Sequence, residues 1–179
     1  MTRTLKDQAV IAGIGQTEFS KESGRTELQL CVEASLSAIQ DAGLKPSDID
    51  GLVTYTLDSN DEIAVMNNLG ITESTYFSRV PFGGGATCGT IQHAALAVAS
   101  GAAKNVLVYR AFNERSGHRF GQPMTAGGMQ GRFQIDPDNL PPMALGFFYG
   151  LSAPASIYSL HLARYMHEYG VTSEALGRY

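Results

Sequence analysis

Short runs of strand-type residues alternate with helix-type segments over residues 8–109 of the chain. The strand-type runs are residues 8–15, 51–55, 75–80 and 104–109, and the helix-type segments are residues 26–42, 61–70 and 87–100. This alternation, with short connections, is typical of a largely parallel sheet with helices packed on its faces. The sequence therefore predicts a layered α/β fold.

The helix predicted over residues 87–100 is apolar on all of its faces. Ile91, Leu96, Val98 and the alanines between them leave almost no polar side chain beyond the first turn. A helix that is apolar all round is typically buried on all sides. We therefore expect this helix in the centre of the fold, with its N-terminus in a water-poor crevice.

Other helices have recognisable start and stop signals. Thr26 followed by Gln29 is a capping box, and Gly43 with Pro46 ends the same helix. Near the end of the chain, apolar and aromatic residues recur at helical spacing up to a stop at Gly170, after which Thr172 or Ser173 begins another helix. Between these regions, the segment that starts at Asn113 is rich in glycine and proline without a clear period, which indicates a long loop.

Charge and composition argue against several classes of protein. The net charge of -4 and the absence of a Lys/Arg-rich run disfavour a nucleic-acid partner. No apolar run approaches the roughly 20 residues of a membrane span, and residues 1–15 lack the pattern of a secretory leader, so we expect a cytoplasmic protein. Two cysteines in different predicted helices give no disulfide framework, and the histidine spacing predicts no metal site.

The stretch GIGQTEF, residues 13–19, resembles the start of a dinucleotide-binding motif. Glu18 occupies the position of the third glycine, and no helix opens immediately, so a pyrophosphate would lack its backbone donors. We therefore expect no nicotinamide or flavin cofactor here. The two glycines are interpreted as a tight turn.

Cys88 is the candidate nucleophile, because it follows the triple glycine Gly83–Gly85 at the start of a helix. Backbone amides at a helix N-terminus favour the thiolate form of a cysteine. The alternative is a small packing residue, since free cysteine is among the most buried residue types. His93 lies five residues on in the same helix, which is not the spacing of a partner base.

The long loop contains a second candidate site. His118 lies beside Arg115 and Arg119, and this group of side chains suits an anionic ligand. A solvated loop explains the same three residues equally well.

Four segments in the same order resemble the thiolase superfamily, specifically its branch of sterol-carrier-protein-type thiolases and bacterial lipid-transfer-protein aldolases. They are AVIAGIGQTEF, GLKPSDIDGLV, FGGGATCGTIQHAALAVASGAAKNVLVYRA and RYMHEYGVTSEAL. The resemblance implies a thiolase-like layered fold with a buried central helix. It also implies an N-terminal α/β half over residues 1–112 and an inserted loop domain over residues 113–179, with the second half of the family fold absent. Arg115, His118 and Arg119 would then be candidate contacts to coenzyme A.

The resemblance also bears on Cys88. If Gly101 matches the glycine that ends the family's buried helix, the nucleophile position falls on Gly85, three residues before Cys88. A shift of three residues would move the thiol away from its base. The resemblance therefore implies a thiolase-like fold without the thiolase cysteine, in which Gly83, Gly84, Gly85 and Gly89 form a wall of the oxyanion pocket.

The activity implied is retro-aldol cleavage of a β-hydroxy acyl-CoA, with a steroid side chain as the substrate class, to a ketone and a short acyl-CoA such as propionyl-CoA. Coenzyme A is then part of the substrate, no cofactor is tightly bound, and the acid and base residues are expected in the second half. The family implies a homodimer and an OB-fold acyl-CoA-binding partner. Two alternatives remain open: a 3-ketoacyl-CoA thiolase that uses Cys88, and a non-enzymatic lipid or acyl-CoA carrier subunit.

Overall fold

The computed structural model describes residues 6–56, 58–81, 86–113, 149–151 and 154–177. It divides the chain into two compact units, residues 1–119 and 120–179. The predicted boundary between residues 112 and 113 stays a prediction. Among the helices of these described ranges, none is long and apolar enough to cross a membrane.

The first unit contains a parallel three-stranded sheet. Its strands are β1 (Gly51–Tyr55), β2 (Tyr76–Val80) and β3 (Val106–Val108), in the order β2-β1-β3. Gly51 is opposite Tyr76 on one side and Val106 on the other. All five residues of β1 are buried, as expected for a central strand covered on both faces. The predicted α/β fold with a parallel sheet is confirmed.

Three helices pack with this sheet in the same unit: α1 (Glu27–Asp41), α2 (Glu62–Leu69) and α3 (Ala86–Ser100). The predicted capping box is present at α1, where the N–H of Gln29 donates to Thr26 Oγ1 and the N–H of Thr26 donates to Gln29 Oε1. Gly43, with a φ of 70°, allows the chain to leave the helix in the left-handed conformation. The start and stop signals of α1 were therefore predicted correctly.

The core lies on both faces of the sheet. One cluster joins α1 and α2 to Leu52 and Leu107, and a second contains Val53, Tyr55 and Val80 with Ala94 of α3 packed against it. At the amino edge, the Asp50 carboxylate accepts hydrogen bonds from the N–H groups of Lys104 and Asn105 at 2.8–2.9 Å. These bonds fix the amino end of β3 against β1.

The strand predicted over residues 8–15 is not present. The segment has no regular secondary structure and is largely exposed, with Val10 at 87% and Ile14 at 75%. An apolar run becomes a strand only when a neighbouring strand accepts its hydrogen bonds, and among the described residues no backbone group pairs with this segment. Its one described hydrogen bond runs from the N–H of Ile14 to Asp41.

The predicted tight turn at Gly13 and Gly15 is also absent. Both glycines lie against the backbone of α1, so that a Cβ atom on Gly15 would collide with the carbonyl oxygen of Ala34 and the amide of Ala38. The glycines are needed because the segment approaches the helix too closely for a side chain. Their role is close packing.

The expectation that α3 is buried on all sides does not hold within this chain. Ala97 and Thr90 are buried, but Ile91 is 46% exposed and Leu96 is 40% exposed. The described residues place the sheet against one face of α3 and no second layer against the other. The apolar residues on that other face are therefore accessible.

The second unit contains α4 (Pro154–Tyr169) and α5 (Ser173–Leu176) among its described residues. Gly170, with a φ of 63°, follows α4, and Thr172 is the N-cap residue of α5. Both boundaries agree with the sequence prediction. The aromatic residues of α4 are exposed within the described residues, with Tyr158 at 70% and Tyr169 at 69%.

Candidate functional site at the carboxyl edge of the sheet

The three parallel strands end at one edge of the sheet, after Tyr55, Val80 and Val108. Helix α3 follows β2 and contacts all three strands, so its N-terminus lies at this carboxyl edge. In open α/β sheets, ligands bind outside the carboxyl ends of the strands. This edge is therefore the candidate functional site.

Two of the predicted site residues lie in the first turn of α3. Cys88 is exposed and forms no disulfide, so the alternative that it is a buried packing residue is wrong; its role as a nucleophile stays a prediction. Gly89 is half-buried, and a Cβ atom at that position would lie 3.4 Å from a methyl group of Val80. The other predicted site residues lie outside the described residues; they are Gly83, Gly84, Gly85, Arg115, His118 and Arg119.

Asp58 connects the segments that follow β1 and β3. Its side chain is 1% exposed; Oδ1 accepts hydrogen bonds from the backbone and side-chain nitrogens of Asn60, both at 2.8 Å, and Oδ2 accepts one from the N–H of Ala111 at 2.7 Å. Burial raises the pKa of Asp58, and the hydrogen bonds from Ala111 and Asn60 oppose that rise. The carboxyl group is a structural bond acceptor with no unpaired oxygen.

Arg79, a residue of β2, also binds the segment that follows β1. Its guanidinium donates to the carbonyl oxygens of Asp58 and Asn60 at 2.8 and 3.0 Å and to Glu62 Oε1 at 2.8 Å. The hydrogen bond to Glu62 raises the pKa of Arg79. Because one planar side chain contacts three acceptors, the loop that follows β1 is fixed to the neighbouring strand.

Cys31 of α1 lies near Asp58 and is fully buried. Burial raises the pKa of its thiol to about 12, and the nearby Asp58 carboxylate adds to the rise. Tyr109 is also buried, and burial raises the pKa of its phenol; its hydroxyl donates to the carbonyl oxygen of Asn60 at 3.3 Å. Neither group has the properties of a nucleophile near neutral pH.

Arg110 follows β3 at the same edge and is exposed. Its guanidinium carbon lies 4.3 Å from the centre of the Phe112 ring and 5.5 Å from that of Tyr55. The two rings pack edge to face, with their centres 6.3 Å apart. Aromatic contacts therefore hold this cation in place.

His93 has a partner that its sequence spacing does not suggest. Its Nδ1 lies 2.7 Å from Ser78 Oγ of β2, and both side chains are half-buried. The pair spans 15 positions of the chain and joins α3 to the outer strand. That His93 is not the base of Cys88 stays a prediction.

A cleft of about 650 Å³ runs beside β3. One wall is the segment 7–15, and a second is β3 with its flanking residues, from Lys104 to Arg110. Side chains of α1 and α3, which include Ala38, Ile91 and Val98, complete the lining. One wall is the outer edge of a strand, so backbone groups as well as apolar side chains face it. Arg110 lies at the carboxyl end of this cleft.

Sequence reasoning missed Asp58, Arg79 and Arg110. The run from Asp58 to Asp61 directly after a predicted strand was a signal for a polar turn at the carboxyl edge. Nothing in the sequence indicated the partner of Asp58, because Ala111 lies 53 positions away. Chemically, the described edge offers an exposed thiol, an exposed guanidinium and a firmly hydrogen-bonded loop.

Comparison with known proteins gives two curated relatives. The chain is 55% identical over 174 residues to a steroid side-chain-cleaving aldolase of Thermomonospora curvata, covering 97% of this chain and 43% of that protein. It is 51% identical over 174 residues to a 17-hydroxy-3-oxo-4-pregnene-20-carboxyl-CoA lyase of Mycobacterium tuberculosis, covering 97% of this chain and 44% of that protein. The chain therefore spans less than half the length of the curated relatives it matches.

A solved structure, that of the Ltp2-ChsH2(DUF35) aldolase, is also similar. It matches with a TM-score of 0.71 and 54% sequence identity over 94% of this chain and 40% of that chain. The α/β fold predicted from sequence is thus also found in an aldolase. No protein-family profile matches the sequence.

Proposed function

We propose that this chain forms part of a lyase that cleaves the carbon–carbon bond of a β-hydroxy acyl-CoA by a retro-aldol reaction. The observation that carries the proposal is the identity of 55% and 51%, over 97% of the chain, to proteins named as an aldolase and a lyase. The 174 matched residues make up nearly the whole chain. The substrate class is a steroid that carries a hydroxyl group on the carbon β to the thioester.

The reaction balances without a redox cofactor or a covalent carrier. A base removes the proton of the β-hydroxyl group, the Cα–Cβ bond breaks, and its electron pair moves into the thioester as an enolate. The hydroxyl oxygen becomes that of a ketone, and protonation of the enolate at Cα gives the shorter acyl-CoA. This product is propionyl-CoA when Cα carries a methyl group. Such a reaction needs an acid–base pair and donors to the enolate oxygen.

This chain would supply one wall of the site. Gly83, Gly84 and Gly85, which precede α3 in the sequence, and Gly89 in its first turn are proposed to direct backbone N–H groups at the enolate oxygen. Cys88, which is exposed, forms no bond to the substrate in this scheme. Asp58 and Arg79 position the neighbouring loop and take no part in proton transfer, since their polar atoms are already bonded within the protein.

The partners follow the same argument. The similar structure carries the name Ltp2-ChsH2(DUF35) aldolase, and this double name supports an association of this chain with a DUF35-type partner. The OB-fold acyl-CoA-binding protein implied by the family resemblance supports the same association. A homodimer is proposed on the resemblance alone. Arg115, His118 and Arg119 stay proposed contacts to coenzyme A.

The first test uses the full-length protein with its DUF35-type partner and a 17-hydroxy steroid C20-carboxyl-CoA, in buffer without free coenzyme A. Formation of the 17-ketone and propionyl-CoA in equal amounts is the expected result. If the substrate persists, but a 3-ketoacyl-CoA is split once coenzyme A is added, the protein is a thiolase. The observation that favours the thiolase as second candidate is the exposure of the Cys88 thiol, since the other described cysteine, Cys31, is buried.

A third candidate, a carrier subunit, has a different signature. It would bind acyl-CoA saturably and leave both substrates unchanged. Analysis of the reaction by mass spectrometry, together with a binding titration, separates the three cases. If the complete complex binds acyl-CoA saturably but turns over neither substrate, the lyase proposal is wrong.

A further inference from the structure

The side chain of Arg110 is an exposed cation held against two aromatic rings. The contacts to Phe112 at 4.3 Å and to Tyr55 at 5.5 Å restrict where its guanidinium can lie. Tyr55 is only 2% exposed, so this ring is part of the core and does not move with the arginine. The cation therefore has less freedom to lose on binding a ligand than an arginine surrounded by water.

The backbone on both sides of Arg110 is fixed as well. The N–H of Tyr109 donates to the carbonyl oxygen of Val53 at 3.1 Å, and Thr54 Oγ1 donates to the carbonyl oxygen of Tyr109 at 3.0 Å. The N–H of Ala111 donates to the buried carboxylate of Asp58. Arg110 is thus attached to a rigid frame, which is what a binding residue needs to meet its ligand in one geometry.

The hydrogen-bonding edge of the guanidinium is available. Within the described residues, no carboxylate or carbonyl oxygen accepts a hydrogen bond from Arg110, in contrast to Arg79, which contacts three acceptors. A guanidinium whose face packs on rings still presents its N–H groups in the plane. Phosphate oxygens match that planar arrangement, often with two parallel hydrogen bonds.

The position of Arg110 places it where a ligand is expected. Its ring partners, Tyr55 and Phe112, belong to the cluster on the α3 face of the sheet. Arg110 therefore lies on the same face as α3 and past the carboxyl end of β3. This is the edge at which ligands of open α/β sheets bind, and it also contains the first turn of α3.

We infer that Arg110 binds a phosphate group of coenzyme A in the acyl-CoA substrate. The inference rests on the proposed function for the substrate class, and it names a binding residue distinct from Arg115, His118 and Arg119. A phosphate is favoured over the enolate oxygen because Arg110 is exposed, whereas stabilisation of an enolate is most effective where water is excluded.

The test compares Arg110→Gln in the full-length protein and its partner complex with the matched control Lys104→Gln. Lys104 is an exposed cation just before the amino end of the same strand. Isothermal titration calorimetry with coenzyme A is expected to show roughly tenfold weaker binding for Arg110→Gln and no change for Lys104→Gln. Arg110→Lys, which keeps the charge but not the planar fork, should fall between wild type and Arg110→Gln.

Two ligands without phosphate identify the contact. Binding of pantetheine is expected to be unchanged in Arg110→Gln, and the N-acetylcysteamine thioester of the steroid acid should be cleaved at the wild-type rate while KM for the CoA thioester rises. Equal losses for both thioesters would overturn the phosphate assignment, as would unchanged binding of coenzyme A. Because the calorimetry needs no turnover, a protein that cleaves nothing would contradict the proposed function and still test Arg110.

A measurement on the wild-type protein covers the case in which the variants do not fold. Phenylglyoxal modifies accessible arginines, and mass spectrometry of the peptides locates the adducts. Coenzyme A is expected to protect Arg110 from modification, and pantetheine is not. Equal modification of Arg110 with and without saturating coenzyme A would overturn the inference.

Discussion

Asp58 Oδ2 accepts a hydrogen bond from the backbone N–H of Ala111 at 2.7 Å, and this bond joins the loop that follows β1 to the segment that follows β3. Its counterpart at the opposite edge is Asp50, which accepts the N–H groups of Lys104 and Asn105. The two aspartates fix β3 against β1 at both ends. Only Asp58 is fully buried.

Replacing Asp58 by asparagine is expected to lower the free energy of unfolding at pH 5 by about 1–3 kcal/mol. The amide nitrogen would stand where a carboxylate oxygen now accepts, so either Ala111 or Asn60 would keep an unpaired donor. Urea denaturation measures the loss. Asp50→Asn is the control, and it should cost less because its partners can bond to water. Equal losses for the two variants would contradict the importance of burial.

The penalty of Asp58→Asn is expected to depend on pH. Since burial raises the pKa of Asp58 in the folded state, the folded protein holds this proton more tightly than the unfolded chain, in which an aspartate titrates near pH 4. The resulting stabilisation is complete below about pH 4 and is lost as the pH rises through the folded pKa. The stability difference between wild type and variant should therefore shrink from pH 4 upwards; a difference that grows with pH would show that the pKa is lowered.

Gly15→Ala is expected to reduce the free energy of unfolding by about 1–3 kcal/mol, because the new methyl group would meet the backbone of α1 at Ala34 and Ala38. The neighbouring exposed Gln16→Ala serves as the control and should change stability by less than about 0.5 kcal/mol. If both variants match wild type, limited proteolysis around residues 8–15 will reveal whether the segment has left the helix. An unchanged cleavage pattern would then contradict the close contact.

Cys88→Ala is expected to retain retro-aldol activity within about threefold of wild type, because the proposed reaction forms no bond to sulfur. Cys88→Ser provides a polar replacement of similar size. Initial rates on the CoA substrate measure the effect in the full-length protein. A fall of a thousandfold or more in the initial rate of both variants would identify Cys88 as a nucleophile and favour the thiolase over the aldolase.

Cys31 is expected to resist alkylation by iodoacetamide in the native protein at pH 8, because burial raises the pKa of its thiol to about 12 and excludes the reagent. Peptide mass spectrometry can follow each cysteine separately. In denaturant, Cys31 should react at the rate of an ordinary cysteine, at least roughly 100-fold faster than in the native state. Rapid native labelling of Cys31 would mean that α1 opens readily.

Local signals were sufficient to predict much of the fold. The capping box at Thr26 and the stops at Gly43 and Gly170 are short-range features, and the structure has all of them. The apolar run at residues 8–15 failed as a strand because pairing depends on a neighbour that no local pattern specifies. Likewise, the apolar pattern around α3 indicated its composition but not which of its faces would be covered.

The candidate site was less predictable because its contacts are distant in the chain. Thr54 and Tyr109 are 55 positions apart, and Arg79 reaches Asp58 across 21. The packing of Arg110 on Tyr55 has the same character, since it requires the register of β1 and β3. Side-chain types alone could mark the polar turn after β1, but not the groups that it would bind.

The cleft beside β3 has a further consequence for how this polypeptide behaves at high concentration. In the part of the chain that the structure describes, β3 is hydrogen-bonded on one side only, and such a strand is a template on which another extended chain can add. Here the template faces the apolar segment 8–15 and adjoins the exposed Ile91, so that an added strand would gain backbone pairing and hydrophobic burial together. When nothing fills the cleft, this chain is thus expected to aggregate through strand exchange or β-type self-association.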